Sequence, residues 1–321
     1  MIAIFYRLNG NLIVSQSETE LSRLKMDDVL WIDILSPSGD EKHTVDEFLG
    51  VEIQSRAKAE EIESSSRFSE TDKAIFANTN FLMPGPEDYS MEAVSFTFVG
   101  GCLATLRDVP LRSFTELQRR IVAMPQQFRN GYSVFASIMD QRVDLDADMI
   151  ELMTKEISQY SKRINQQEDI NEDFLLDINQ LQENTMLVRE NIVDKQRLIS
   201  NLMKSDKYPQ ELQARFAVIL QDITSLINHA NFGFERLEYL QDTVVGLINL
   251  DQNKIMKVLA VVSLFMMPPT LIAGFYGMNV RLPMIAADEP NASFWNWVII
   301  LGIMALSCVV IWIFFKRKKM L

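Results

Sequence analysis

The sequence predicts an α+β membrane protein, in which an N-terminal α/β domain precedes a long stalk helix that continues into the first of two transmembrane helices. Three observations lead to this prediction. Short apolar runs separated by turn residues occupy the first 110 residues, a helical pattern without a stop signal follows Pro209, and two long uncharged segments lie near the C-terminus. Hydrophobic residues make up 48% of the 321 residues, which excludes disorder as the main state of the chain.

Charge and rare residue types exclude several classes of function. The net charge is −12, and residues 1–241 carry −15, because seven cations outnumber four anions from Asp242 onward. We therefore expect no nucleic-acid partner, since nucleic acid requires a basic surface. Two cysteines and two histidines exclude a disulfide framework and leave little for a zinc site. Because the sequence contains no GxxxxGK[ST], HExxH or nucleophile-elbow motif, we expect neither an enzyme nor an organic cofactor.

Residues 1–130 are predicted to form the α/β domain. The runs IAIFYR and NLIVS flank Asn9-Gly10-Asn11, a sequence typical of a hairpin turn, and VLWIDIL is rich in β-formers. A helix is expected at His43–Leu49. The runs AIFANTNFLM, AVSFTFV and CLATLR predict three further strands, the last two joined by a hairpin at Gly100-Gly101.

Long helices are predicted to fill residues 131–208 and then the stalk, 209–275. Two amphipathic helices are expected at Asp140–Ile164 and Ile170–Lys204. Pro209 suits the first turn of the next helix, which has no stop signal for 67 residues and would be about 100 Å long. Its apolar positions from Leu212 to Leu247 alternate steps of four and three, which is the coiled-coil period. A helix this long cannot be buried in a monomer of this size, so we expect a homo-oligomer.

Two segments are long and apolar enough to cross a bilayer. Val258–Phe275 has no charge across 18 residues, and Phe294–Phe315 has none across 22, or about 33 Å of helix. The basic tail, 316–321, begins with Lys-Arg-Lys-Lys, which by the positive-inside rule places the C-terminus in the cytoplasm. Two spans place the N-terminal domain on the same side and leave 276–293 as an external loop. We therefore expect a cell-membrane protein.

A second stripe on the stalk helix, again in steps of four and three, is small or polar. Such side chains seldom face lipid, because unsatisfied polar groups cost several kcal/mol there. Either a tight helix–helix seam or a pore lining around a symmetry axis explains them. Three polar residues at one end favour a pore, because a ring of carboxylates and amides suits a hydrated cation. The stripe consists of Asp242, Gly246, Asn249, Asn253, Met256, Ala260, Ser263, Met267, Thr270 and Gly274.

Backbone features mark the outer end of the first span. Pro268 and Pro269 lack N–H groups, so they free backbone carbonyls that water or a neighbour must reach. Gly277 permits a turn, and Asn279 offers an amide oxygen. A ring of such oxygens could bind the water shell of Mg²⁺, which dehydrates reluctantly.

The C-terminal third resembles the CorA-type divalent-cation transporter family. The matching features are Gly277-Met278-Asn279, Met267-Pro268, Thr270, Ile272–Gly274 and the MKVL run Met256–Leu259, together with two C-terminal spans and a basic tail. The likeness is close from about Asn253 to Val280. Pro269 departs from the family, which usually has one proline here.

The resemblance implies a homopentameric funnel whose stalk helix lines a pore for Mg²⁺. Gly277, Met278 and Asn279 would form the outer selectivity filter. Asp242, Asn253 and Thr270 would form polar rings, beside which the stripe itself places Asn249 and Ser263. Met256, Leu259 and Met267 would form a hydrophobic gate.

The resemblance also implies gating by intracellular Mg²⁺ bound between cytoplasmic domains. Acidic residues that could bind this regulatory ion, or could equally belong to a solvated acidic face, are Glu87, Asp88, Asp144, Asp146, Asp148 and Asp222.

Two alternatives to Mg²⁺ influx stay open. The first is a transporter of the same family that carries Zn²⁺, Co²⁺ or Ni²⁺, since a hydrated ion needs no soft ligands. The second is a membrane-anchored coiled-coil sensor or scaffold that conducts nothing, in which the small stripe is only a packing surface.

Overall fold

The computed structural model describes residues 1–54, 67–85, 89–166, 170–277 and 292–317. The chain divides into two compact units, Met1–Asp242 and Thr243–Leu321. The first unit contains a β-sheet and a group of long helices, and the second contains two apolar helical segments.

Seven strands of the described residues form one mixed sheet in the order β2-β1-β3-β7-β6-β5-β4. Neighbouring strands are antiparallel except β3 and β7, which are parallel. Both predicted hairpins are present, and Asn9 and Gly10 have the positive φ angles, 52° and 81°, of a two-residue hairpin turn. The strands are β1 Ile2–Leu8, β2 Asn11–Ser15, β3 Val29–Leu35, β4 Phe68–Glu70, β5 Ala74–Pro84, β6 Tyr89–Val99 and β7 Cys102–Arg107.

Two helices are longer than the sequence pattern predicts. The first begins at Gly39 instead of His43, because Ser38 and Glu41 form a capping box around its N-terminus. The third begins at Gly131 instead of Asp140. Its first turns, from Tyr132 to Met139, are buried on all sides, so they show no amphipathic period. The helices are α1 Gly39–Leu49, α2 Arg112–Ala123, α3 Gly131–Gln166, α4 Glu172–Leu202, α5 Gln213–Tyr276 and α6 Ala292–Arg317.

The N-terminus of α3 lies directly against β7. The Gly131 N–H donates to the Gly101 carbonyl at 2.6 Å, and a Cβ atom at residue 131 would lie only 2.5 Å from the Leu103 backbone nitrogen. Aromatic rings continue this contact, because Tyr132 stacks on Phe98 with ring centroids 4.6 Å apart. Glycine at 131 therefore sets how closely α3 approaches the sheet.

The coiled-coil stripe at the start of α5 packs inside its own chain. Phe216, Ile223, Leu237 and Val244 are each fully buried. Polar pairs join α5 to the antiparallel α4, including Gln196 with Thr224 at 3.1 Å and Gln241 with Asn179 at 2.9 Å. The heptad period thus records packing within one subunit, where α5 meets α3 and α4.

The prediction that residue 209 begins the stalk helix is wrong by one short turn. Pro209 precedes a 3-10 turn, Gln210–Leu212, and the α-helix begins at Gln213. It then continues through Pro268 and Pro269 to Tyr276. Among the described residues, two helices are long and apolar enough to cross a membrane, the one ending at Tyr276 and the one ending at Arg317, and the most apolar window of each has no buried residue.

Candidate ion pathway

The membrane part of α5 presents its predicted pore stripe on an open face. Asn253, Ser263 and Thr270 are exposed within the chain. The methionines of the proposed gate are exposed too, Met256 by 64% and Met267 by 61%. The same holds for Leu259, at 56%.

The second span, α6, packs on the opposite side of α5. Apart from Pro268 and Pro269, the less exposed positions of the span are Val261, Phe265, Ile272 and Tyr276, one helical face at steps of four, seven and four. At 100° per residue, Met267 lies about 200° round the helix from Phe265. The stripe therefore faces away from the chain's own second span.

One of the two prolines, Pro269, is accommodated by a contact between the spans. Pro269 has no N–H to donate to the carbonyl of Phe265, four residues before it. The Cys308 thiol of α6 lies 3.7 Å from that carbonyl oxygen and donates a weak hydrogen bond to it. A neighbouring helix thus reaches one of the two freed carbonyls, as the sequence requires.

The hydroxyl of Thr270 forms a hydrogen bond within its own helix. Its hydroxyl donates to the Met266 carbonyl at 2.7 Å, which leaves the oxygen lone pairs free to accept from water. A hydroxyl held in this way can order the hydration shell of an ion without binding the ion directly.

The helix α5 ends at Tyr276, directly before the predicted filter. The Gly277 N–H donates to the Ala273 carbonyl at 2.8 Å, and a Cβ atom at 277 would lie 3.0 Å from that same oxygen. Its φ is outside the left-handed region, so close approach explains glycine here better than an unusual turn. Met278 and Asn279 lie outside the described residues.

Asp242 and Asn249 occupy the approach to the span. Both are exposed on α5, Asp242 at the end of the first unit and Asn249 within the second. Each can therefore face solvent, as the predicted polar rings require.

The acidic residues predicted for regulation behave differently from one another. Asp222 is exposed on α5. Partial burial raises the pKa of Asp144, and the nearby carboxylates of Asp140, Asp148 and Asp222 raise it further. These carboxylates are therefore neighbours. Among the described residues, however, no three acidic, His or Cys side chains are arranged to hold a metal. Glu87 and Asp88 lie outside the described residues.

The prediction that Asp146 could bind a regulatory ion at the surface is wrong, because its carboxylate is buried in the core. It is 1% exposed, and its Oδ2 accepts from the Lys195 ammonium at 2.7 Å. Asn191 also accepts from Lys195, and Arg142 lies over the Phe81 ring in the same layer, with its guanidinium carbon 4.6 Å from the ring centroid. Burial lowers the pKa of Lys195 to about 8, although Asp146 opposes this.

The sequence contains a weak signal for this buried charge. Lys195 is in helical register with the buried residues Val188, Ile192 and Ile199, so it falls on the apolar face of α4. A lysine on such a face requires a partner, but the sequence does not say which carboxylate supplies it.

Comparison with known proteins adds the family. A family model described as CorA-like Mg²⁺ transporter protein matches residues 26–317. The magnesium transport protein CorA of Wolinella succinogenes is 31% identical and is matched over the full length of both chains. That of Escherichia coli K12 is 30% identical over 94% of this chain and 96% of its own.

Solved structures share the fold. The CorA magnesium transporter from Methanocaldococcus jannaschii superposes with a TM-score of 0.76 at 17% identity, over 99% of this chain and 98% of its own. The full-length CmaX protein gives 0.72 at 14%, over 99% and 97%. The cytoplasmic domain of ZntB from Vibrio parahaemolyticus gives 0.51 at 18%, over 69% and 88%. Since the family model and the full-length relatives agree with the motifs around Gly277, this chain belongs to the CorA-like Mg²⁺ transporter family.

Proposed function

We propose that the chain forms a homopentameric, funnel-shaped pore through which Mg²⁺ enters the cell. Its membership of the family and the magnesium transport proteins among its relatives support this ion. Moving two charges across 100 mV releases about 4.6 kcal/mol, so the membrane potential can drive influx without ATP. The observation that carries the proposal is that the small, polar face of α5 points away from α6.

The polar face of α5 would be costly to expose to lipid. Ser263 and Thr270, which lie within the first span, would face lipid if the subunit stood alone, which is costly for polar groups. Copies of α5 around a common axis remove this cost, because the stripe then faces water and other copies of itself. The polar rings and the ion pathway are then one surface.

We assign three roles to residues along this pathway. Gly277, Met278 and Asn279 select the hydrated ion at the outer mouth. The rings that keep the ion hydrated are Asp242, Asn249, Asn253, Ser263 and Thr270. The hydrophobic gate, which closes by dewetting, is Met256, Leu259 and Met267.

The remaining parts of the chain serve this pore. The domain 1–130 and the helices 131–208 lie in the cytoplasm, and the stalk 209–275 leads into the membrane. The loop 276–293 is external, and the span 294–315 returns the basic tail 316–321 to the cytoplasm. Asp222, with Glu87 and Asp88, contributes to regulatory Mg²⁺ sites completed by a neighbouring subunit.

Ion flux into proteoliposomes under an inside-negative potential tests the proposal. Wild-type protein is expected to take up Mg²⁺, and Asn279→Ala is expected to lose at least tenfold in rate while the oligomer stays intact by size-exclusion chromatography. Uptake of Zn²⁺, Co²⁺ or Ni²⁺ in preference to Mg²⁺, or a requirement for a proton gradient, would instead support another transporter of the family.

Met266 and Met267 offer a matched pair for locating the pore. Both are 61% exposed in the chain, but Met267 lies on the stripe, and Met266 lies about 100° round the helix from Met267, between the stripe and the face toward α6. Met267→Ala is expected to change the flux severalfold and Met266→Ala to leave it within twofold. Equal effects of the two variants would contradict the assignment of the stripe, and an absence of flux in all proteins would favour a sensor or scaffold.

A further inference from the structure

A cavity of about 450 Å³ lies in the first unit, between the last turns of α4 and the strands β4 and β5. This volume is in the range of small-molecule sites, and it is several times what a single bound water requires. The cavity belongs to the part of the chain that carries no proposed pore residue apart from Asp242.

The charge of this cavity is opposite to that of its surroundings. Among the residues that the structure describes, Arg67, Arg197 and Lys204 line it together with one carboxylate, Asp194. Residues 1–241 as a whole carry −15, so a local excess of cations here needs an explanation.

The one carboxylate is already neutralised. Nη1 of Arg67 lies 3.0 Å from Oδ2 of Asp194, and these side chains are only 19% and 15% exposed. By contrast, Arg197 and Lys204 form no ion pair with any residue that the structure describes. Two positive charges therefore remain available to a molecule in the cavity.

The available groups share one face of α4 and the turn that follows it. Arg197, Ser200, Asn201 and Lys204 are spaced by three, one and three residues, which places them side by side. They offer a guanidinium fork, a hydroxyl, an amide and an ammonium. All four can donate hydrogen bonds, and a guanidinium with an ammonium is the usual combination for phosphate oxygens.

We propose that this cavity binds a small phosphate-bearing anion, held by Arg197 and Lys204 with Ser200 and Asn201 as further donors. A metal cation is disfavoured, because both uncompensated charges would repel it. The volume admits a molecule larger than inorganic phosphate. None of the described residues that line this site belongs to the pore stripe.

Calorimetric titration of the full-length protein in detergent micelles with inorganic pyrophosphate tests the site. The buffer contains EDTA and has constant ionic strength, so that metal chelation and salt effects do not contribute. Wild-type protein is expected to bind saturably, and Arg197→Gln and Lys204→Gln are each expected to weaken binding at least tenfold. Ser200→Ala, which changes no charge, is expected to weaken binding about threefold.

Arg119→Gln is the matched control, because Arg119 is an exposed cation on α2 outside the cavity lining. It is expected to leave the dissociation constant within twofold. Equal weakening by Arg119→Gln would overturn the proposal, since it would show unspecific attraction. It would also be overturned by a lack of saturable binding, or if Arg197→Gln and Lys204→Gln lower the thermal stability but bind normally. The last result would mean that the two cations only complement the helix C-terminus.

Discussion

The Cys308 thiol lies 3.7 Å from the Phe265 carbonyl oxygen, the acceptor that Pro269 leaves without its helical donor. The contact joins the two spans on the side of α5 opposite the polar stripe. It therefore both supports a helix that contains two prolines and leaves the polar stripe uncovered within the chain.

Removing the thiol donor should weaken this contact only where the proline is present. Cys308→Val is expected to lower the unfolding free energy in micelles by about 0.5–1 kcal/mol, in line with hydrogen bonds between membrane helices. Pro269→Ala restores the N–H, so Cys308→Val in that background is expected to cost nothing further. A double-mutant cycle measures the difference, and additive effects would show that the thiol and the proline are independent.

The buried pair of Lys195 and Asp146 should be costly to break. Asp146→Asn removes the carboxylate that forms the ion pair with the fully buried ammonium of Lys195. We expect a loss of about 3–5 kcal/mol in unfolding free energy, measured by urea denaturation. The exposed Asp148→Asn on the same helix is the control and should stay within about 0.5 kcal/mol.

Lys195 should also give the first unit a pH dependence on the alkaline side. Its pKa is about 8 in the folded chain and 10.5 as a free side chain, so between these values the unfolded state holds one more proton. Stability from this group is therefore expected to rise with pH, by at most about 1.4 kcal/mol per unit. Unfolding free energies of wild type and Lys195→Met at several pH values should diverge across this window, and parallel curves would contradict the assignment.

Gly131 should not tolerate a side chain. Gly131→Ala places a Cβ atom against the backbone of β7, and we expect a loss of about 2–4 kcal/mol, typical of overpacking at a rigid contact. Gly39→Ala, also in a first helical turn but with no atom within 4 Å, is expected to be neutral or slightly stabilising. Thermal unfolding followed by circular dichroism compares the two.

Regulatory Mg²⁺ should protect the cytoplasmic part from proteolysis. If ions bridge acidic surfaces of adjacent subunits, millimolar Mg²⁺ should slow digestion of the oligomer severalfold relative to EDTA. Asp222→Asn is expected to reduce this protection, and Asp27→Asn on a separate 3-10 turn should not. Equal digestion rates in Mg²⁺ and in EDTA would contradict the presence of Mg²⁺ sites between subunits.

Six of the seven strands among the described residues, both hairpins and both apolar spans could be predicted from sequence because their signals are local. The strand β4, Phe68–Glu70, is only three residues long and shows no period by which to predict it. Asn9-Gly10 requires positive φ angles wherever it occurs, and an uncharged run such as Phe294–Phe315 is unusual in water. The small and polar stripe of α5 could be recognised for the same reason, since helical spacing alone places its members on one face, and its role as a pore lining stays a prediction. The start of α3 was missed because a stretch buried on all sides has no polar face to mark its period.

By itself the sequence determined which residues share a face of α5 and which segments suit a bilayer. Only the tertiary structure decided what each face meets. It placed Cys308 at the carbonyl freed by Pro269, directed Asp146 to Lys195 instead of to solvent, and packed the heptad stripe within the subunit. The paired residues lie 43 and 49 positions apart in the sequence and on different helices. Periodicity along one helix shows which residues share a face, but it does not show which residue of another helix that face contacts.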